Sequence, residues 1–233
     1  MNHPFDEVLI DKAILHAKSI YPEESCGFIT KDDYLPMINI SEDKENNFEI
    51  DAKEYMRLDG KIEAIIHSHA NYPHASKQDM ISQIKSNVPW GIIFLKNGAT
   101  EHVAFFGDQI PPYDLIGRPF IHGIFDCYAI VRDYYRMKGI TIPIFSRENL
   151  WWESQPSMLE DGCKDAGFEF IDKSELKEGD VIFMKIMAKV VNHSAIYLGN
   201  NLIVHHIYNK LSRREPFTSW QQYASGYLRY QYA

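Results

Sequence analysis

AIIHSHANYPHASKQD, residues 64–79, decides how the N-terminal half of this chain is read. The apolar run Ala64-Ile65-Ile66 leads into two histidines one residue apart, and a serine and an aspartate follow. Alternate side chains of a strand share a face, so His67 and His69 are expected to point the same way with Ser68 opposite. Two imidazoles on one face can chelate a divalent metal, and Asp79 offers a carboxylate. Three protein ligands that leave one position for water make the pattern of a catalytic zinc site, where bound water reaches a pKa of about 7. Ser76-Lys77-Gln78-Asp79 also has the form of a capping box, with Asp in place of the usual Glu or Gln. A cap alone accounts for both residues, and it sets Asp79 in the first helical turn soon after the histidine strand.

Working outward, residues 6–20 carry apolar positions at helical spacing. CGFIT reads as a short strand, FEIDAKEYMRL as a strand end and a helix, and SKQDMISQIKSN as a helix. WGIIFLKNG and EHVAFFG read as a strand pair turning at Asn97-Gly98. Helices and strands alternate, which predicts an α/β half. GDQIPPYDLIGRPF breaks all periodicity and is the best linker candidate. Beyond it, DCYAIVRDYYRMKG reads as a helix with a stop at Gly139. GDVIFMKI, NHSAIYLGN and NLIVHHIY read as three strands, the last two a hairpin through Gly199-Asn200-Asn201.

That second half raises its own question at FDCYAIVRDYY. Cys127 opens the helix, and a helix N-terminus favours the nucleophilic thiolate, so Cys127 is expected to be the most reactive thiol. The bland alternative is a buried cysteine beginning an amphipathic helix. A nucleophilic cysteine needs a base. His193 is available on one strand, with His205 and His206 on its hairpin partner; each can equally be a core residue. Cys163 has no such setting and reads as structural.

The bulk numbers narrow the function classes. The chain has 233 residues, 45% of them hydrophobic, which is material for more than one core. A formal net charge of −8 argues against a broad nucleic-acid footprint. The first residues show no signal-peptide pattern, and no apolar run approaches the roughly 20 residues of a membrane helix. A protein made and first kept in a cytoplasm is expected. Three cysteines without a CxxC pair make neither a disulfide framework nor a structural zinc site.

His-Ser-His followed by Ser-x-x-Asp, with Glu24-Ser25-Cys26-Gly27 upstream, resembles the JAMM motif of JAB/MPN metalloproteases over roughly residues 5–107. The resemblance implies that His67, His69 and Asp79 hold zinc, that Glu24 is the general base, and that Ser76 helps stabilise the oxyanion. Glu23 is the competing acid, and His74 lies in the same loop. Two departures stand out: Ala70 replaces the usual Pro, and six residues rather than seven separate His69 from Ser76. Cys26 reads as a buried apolar neighbour.

Asp126-Cys127 before a helix, Gly-Asp-Val before a strand, and His-x-x-Ile-Tyr-x-Gly-Asn before another His resemble NlpC-type cysteine peptidases. These are papain-like α+β domains, many of which cut bacterial cell-wall stem peptides. The resemblance implies Cys127 as nucleophile, His193 as base and His205 as the residue that orients it. His206 is the alternative, because one slip of hairpin register flips the face. The family's Pro-Tyr is Pro119-Phe120 here, and Phe cannot donate a hydrogen bond. The backbone N–H of Cys127 and a neighbour such as His122 are the donors left to compensate.

The two halves in this order, with the phrase GRPFIHGIFDCYAIVRDYY, resemble the tail tip assembly proteins of lambda-like tailed phages. The expectation is therefore a two-domain α+β protein. Residues 1–107 are a JAB/MPN-like α/β zinc metallopeptidase domain, 108–118 a linker, and 119–233 a papain-like NlpC-type domain. It is expected to act with phage tail tip proteins and on peptide bonds of peptidoglycan stems or tail proteins. Its expected place is the host cytoplasm during assembly, or the virion tail tip. Two rival readings are an assembly factor with degenerate sites, which Phe120 and the short zinc loop favour, and a cytoplasmic JAMM isopeptidase, which the second half opposes.

Overall fold

Asp6 caps the first helix, its carboxylate accepting from the Val8 N–H at 2.8 Å, and the chain then alternates elements in the computed structural model. Residues 4–70, 72–153 and 156–231 are described. Cα proximity divides the chain into two units, Met1–Pro111 and Pro112–Ala233.

The first unit contains α1 (Glu7–Ile20), β1 (Cys26–Ile29), β2 (Tyr34–Met37), α2 (Ala52–Arg57), β3 (Ala64–Ala70), α3 (Lys77–Ser86), β4 (Trp90–Lys96) and β5 (Ala99–Phe106). The sheet order is β2-β1-β3-β4-β5. Only β3 and β4 are parallel, joined through α3; the other pairs are antiparallel. β3 is central, which is why Ala64 to His69 are all buried. Asn97 and Gly98 turn the β4–β5 hairpin with positive φ at both positions, the pairing a tight primed turn requires. Gly27 cannot carry a side chain: a Cβ there would meet the Tyr34 ring at 2.5 Å.

The second unit contains α4 (Cys127–Arg136), α5 (Met158–Gly162), β6 (Phe168–Ile171), β7 (Val181–Met184), β8 (His193–Tyr197), β9 (Leu202–His205), β10 (Arg213–Pro216) and β11 (Ala224–Tyr230). Its six strands run in the order β10-β9-β8-β7-β11-β6, every pair antiparallel. The core gathers Ile130, Val131 and Tyr135 of α4 with Val181, Ile196, Val204 and Leu228 of the sheet. Residues 113–118 are tied down: buried Arg118 pairs with Asp133 at 2.7 Å and donates to the carbonyls of Tyr113 and Asp114. The architecture is mixed α+β. Among the described residues no helix is long and apolar enough to cross a membrane.

Candidate functional site

The first cluster is positioned by the central strand. β1 and β3 are stitched together just upstream of Cys26, with the Ser25 N–H donating to Ser68 Oγ at 2.8 Å and the Ser68 N–H to the Ser25 carbonyl at 3.0 Å. Asn39 fixes the same corner by donating to the Glu24 carbonyl at 3.0 Å. Glu24 is thereby buried, whereas Glu23 faces Lys44 at 3.8 Å on the surface. His67 and His69 share a face, with Nε2 to Nε2 at 2.9 Å. Asp79 arrives from the first turn of α3 with Oδ1 3.4 Å from His67 Nε2 and Oδ2 3.3 Å from His69 Nε2. Glu24 Oε1 is 3.7 Å from His69 Nε2.

The capping box and the convergence coexist. Ser76 Oγ accepts from the Asp79 N–H at 3.0 Å, and Asp79 Oδ2 accepts from the Ser76 N–H at 2.7 Å. His74 contributes its carbonyl, which accepts from His69 Nδ1 at 2.9 Å. That contact assigns the proton of neutral His69 to Nδ1 and leaves Nε2 bare. Burial pushes Glu24 up to about 7, against the opposing influence of His67 and a hydrogen bond from Tyr72. Burial likewise pushes His69 down to about 4. Asp79 goes the other way: burial disfavours its charge, but His67 and His69 outweigh burial and hold it ionised. Cys26 lies opposite His67 across the strands, and burial raises its thiol to about 12. Glu24, His67 and His69 can hold a metal ion, their ligand atoms lying within 4.8 Å of one another. A cleft of about 740 Å³ opens beside Glu24 and Asp79, walled by Phe48, Tyr55 and Trp90. The sequence reading missed Tyr72, whose hydroxyl donates to Glu24 Oε1 at 2.7 Å and whose ring stacks on His69 at 4.1 Å.

The second cluster is built where α4 meets β8. Asp126 caps α4, accepting from the Ala129 N–H at 3.0 Å and from the Gly123 N–H at 3.0 Å, and it is paired with buried Arg147. Cys127 is the first helical residue and shares a cleft of about 450 Å³ with His193 and His206. The thiolate expected from the helix start is not what these surroundings favour. Burial pushes the Cys127 thiol up to about 11 and the adjacent Asp126 carboxylate adds to this, while Ser194 and Arg147 work against it. These surroundings favour the protonated thiol over the thiolate.

His193 Nε2 meets His205 Nδ1 at 3.1 Å, and His205 Nε2 meets Glu215 Oε2 at 2.8 Å. His206 turns away, donating from Nε2 to the Lys210 carbonyl at 3.0 Å. Register explains the difference: Ala195 pairs with His205, so His193 and His205 lie on the same face of the sheet. Burial lowers His193, His205 and His206, the last to about 4. Phe120 lies on the cleft wall, its ring against His206 at 5.2 Å and Tyr208 at 4.9 Å. His122 is buried, with Nε2 3.4 Å from the Arg147 carbonyl. Cys163 is buried at the end of α5, its thiol 3.1 Å from the Glu160 carbonyl. Sequence reading missed Glu215 and the Asp126–Arg147 pair.

The cysteine at this helix start and the histidine pair on the sheet fall within residues 117–229, which match the NlpC/P60 family. Over 232 residues the chain is 31% identical to tail tip assembly protein K of Escherichia phage N15, spanning 95% of this chain and 93% of that protein. Over 167 residues it is 35% identical to tail tip assembly protein K of Escherichia phage lambda, spanning 71% and 80%. The chain belongs to the tail tip assembly protein K family. Among solved structures, it is similar to an NLP/P60-family lipoprotein-like protein of Staphylococcus aureus, at 23% identity and a TM-score of 0.37, covering 51% of this chain and 38% of that one.

Proposed function

We propose that this chain is a phage tail tip assembly protein with two peptidase sites, a cysteine peptidase in the second unit and a zinc metallopeptidase of JAB/MPN type in the first. The observation that carries the reading is Cys127 on a cleft wall shared with His193, whose Nε2 is already engaged by His205 at 3.1 Å. With Nε2 committed, Nδ1 is the nitrogen left to take the thiol proton. The sulfur then attacks a peptide carbonyl, and the imidazolium returns the proton to the leaving amine.

For the first unit, the donor set fits a cation. His69 Nε2 is bare, and Asp79 is held ionised and can only accept, so two lone-pair donors face the same point. The two imidazole nitrogens lie 2.9 Å apart, and the Asp79 carboxylate spans them, with Oδ1 3.4 Å from His67 Nε2 and Oδ2 3.3 Å from His69 Nε2. His67, His69 and Asp79 would hold the ion. Such an ion acidifies water and polarises a carbonyl. Glu24, buried and raised to about 7, is suited to hold and pass on a proton. Ser76 keeps its hydroxyl hydrogen free, since its oxygen is the acceptor in the cap.

The substrates are peptide bonds, in peptidoglycan stems or in tail proteins, and the partners are tail tip proteins met in the host cytoplasm or retained in the virion tail tip. One observation favours a pure assembly role: Phe120 puts no hydroxyl on the cleft wall where the cysteine peptidase family has a tyrosine. The test is to incubate purified protein separately with cell-wall stem peptides and with tail tip proteins, and to read products by mass spectrometry. Cleavage that disappears in Cys127→Ala or in His69→Ala assigns each substrate to its site. No cleavage of either substrate by zinc-loaded wild-type protein overturns the peptidase reading.

A further inference from the structure

We propose that Glu215, beyond the cysteine and two histidines, decides which nitrogen of His193 carries a proton, and so makes His193 a base toward Cys127. The inference rests on the cysteine peptidase reading of the second unit and adds a positioning residue to it. Glu215 sits on edge strand β10 and is about one quarter exposed. Its Oε2 accepts from His205 Nε2 at 2.8 Å and from Arg213 Nε at 3.0 Å. Burial works against its charge, but the hydrogen bonds from His205 and Arg213 and their electrostatic attraction together outweigh it and hold it below the usual carboxylate range. At neutral pH it can only accept.

The rest follows from proton counting. A neutral imidazole carries one N–H. If His205 spends it on Glu215 through Nε2, its Nδ1 is a bare acceptor. That Nδ1 lies 3.1 Å from His193 Nε2, which must then be the donor. His193 in turn keeps a bare Nδ1. His205 has no exposed side-chain surface, and the Trp220 ring lies against it at 4.6 Å, so bulk water does not compete for this order. Register supplies the alignment: Arg213 pairs with His205 and Glu215 with Ile203, placing Glu215 and His205 on one face of the sheet. When Cys127 reacts, its S–H bond breaks, the proton moves to His193 Nδ1 and the electron pair stays on sulfur. The positive charge gained by His193 is then one imidazole away from the Glu215 carboxylate. A backbone carbonyl at the same place would fix the tautomer but supply no charge; a carboxylate does both.

The experiment uses full-length protein with ¹⁵N-labelled histidine and reads His193 by two-bond proton–nitrogen correlation at neutral pH. The expected result is a bare Nδ1 and a protonated Nε2. Glu215→Leu should mix the two tautomers and slow alkylation of Cys127 by iodoacetamide about tenfold or more, with the rising limb of its pH profile displaced. Glu215→Gln, which retains an acceptor oxygen, should partly rescue the tautomer without restoring the pH profile. A wild-type His193 carrying its proton on Nδ1 overturns the proposal without any variant. So does a Glu215→Leu protein that folds and keeps both the wild-type tautomer and the alkylation profile. The nitrogen spectrum does not depend on turnover. A protein with the expected tautomer that cleaves no peptide refutes the peptidase reading and leaves the role of Glu215 standing.

Discussion

The two clusters solve the problem of buried polar groups in opposite ways. Around His67, His69, Asp79 and Glu24, two imidazoles and two carboxyl groups converge, and the pKa values of the carboxyl groups are driven apart: Glu24 up, Asp79 down. Around Cys127, donors and acceptors alternate in a line from His193 through His205 to a part-exposed carboxylate. On the proposed reading the first arrangement is completed by a cation and the second by protons alone. Shared burial therefore does not imply shared chemistry.

Changes at the two clusters should separate cleanly. The largest effect is expected from Cys127→Ala, which should lower cysteine peptidase turnover about 10⁴-fold or more and leave zinc content at the wild-type value by atomic spectroscopy. His69→Ala should reverse that pattern, dropping bound zinc from close to one per chain to background. Glu24→Gln should keep the metal on the proposed reading, in which His67, His69 and Asp79 are the ligands and Glu24 the base; loss of zinc would make Glu24 a ligand instead. Zinc retention in His69→Ala would break the comparison, since the inward-pointing set would then be ornamental.

Phe120→Tyr is a gain-of-function test. One well-placed oxyanion donor is worth about a hundredfold in rate, so restoring a hydroxyl on the cleft wall should raise kcat toward that limit, measured on whichever substrate the wild type cleaves. An unchanged rate would mean that backbone N–H groups already suffice.

The smallest expected effect concerns pH. Burial lowers His206 from 6.5 to about 4, so its folded form is favoured while the ring is neutral. That contribution is full above pH 6.5 and is lost as pH falls from 6.5 toward 4. Between pH 7 and pH 5 it amounts to about 2 kcal/mol. His206→Gln, which cannot charge, should shrink the stability difference between those two pH values by this amount in denaturant unfolding followed at the second unit.

What was legible in the sequence was local. The period of two along Ala64–Ala70 put both histidines on one face, and Ser76 with Asp79 announced a cap. Asn97-Gly98 and Gly199-Asn200-Asn201 announced hairpins whose φ values are all positive. What escaped was set by distant partners. Tyr72 matters because its hydroxyl reaches a glutamate 48 residues upstream, and no spacing rule encodes that. Glu215 lies in Arg-Arg-Glu-Pro, a charged stretch that reads as loop because an edge strand buries too little to show alternation. β11 is interrupted by a register shift between Ala224 and Gly226, which blurs the period of its seven residues. The influences that oppose a thiolate at Cys127 were hidden for the same reason: a helix start is visible in sequence, but the burial and the packing of the Asp126 carboxylate are tertiary.

Asp79 holds two positions with one carboxylate. Its Oδ2 accepts from the Ser76 N–H in the cap of α3 and also faces His69. In a lineage that stopped using the metal, selection on helix folding would still protect this aspartate, because losing a cap costs about 1 kcal/mol. The histidines on β3 are packed as well, His67 against Phe48 and His69 against Tyr72, but neither caps a helix. On the proposed reading, decay of the site should therefore begin at His67 and His69 and reach Asp79 last, so an aspartate at that position in a relative reports first on the helix.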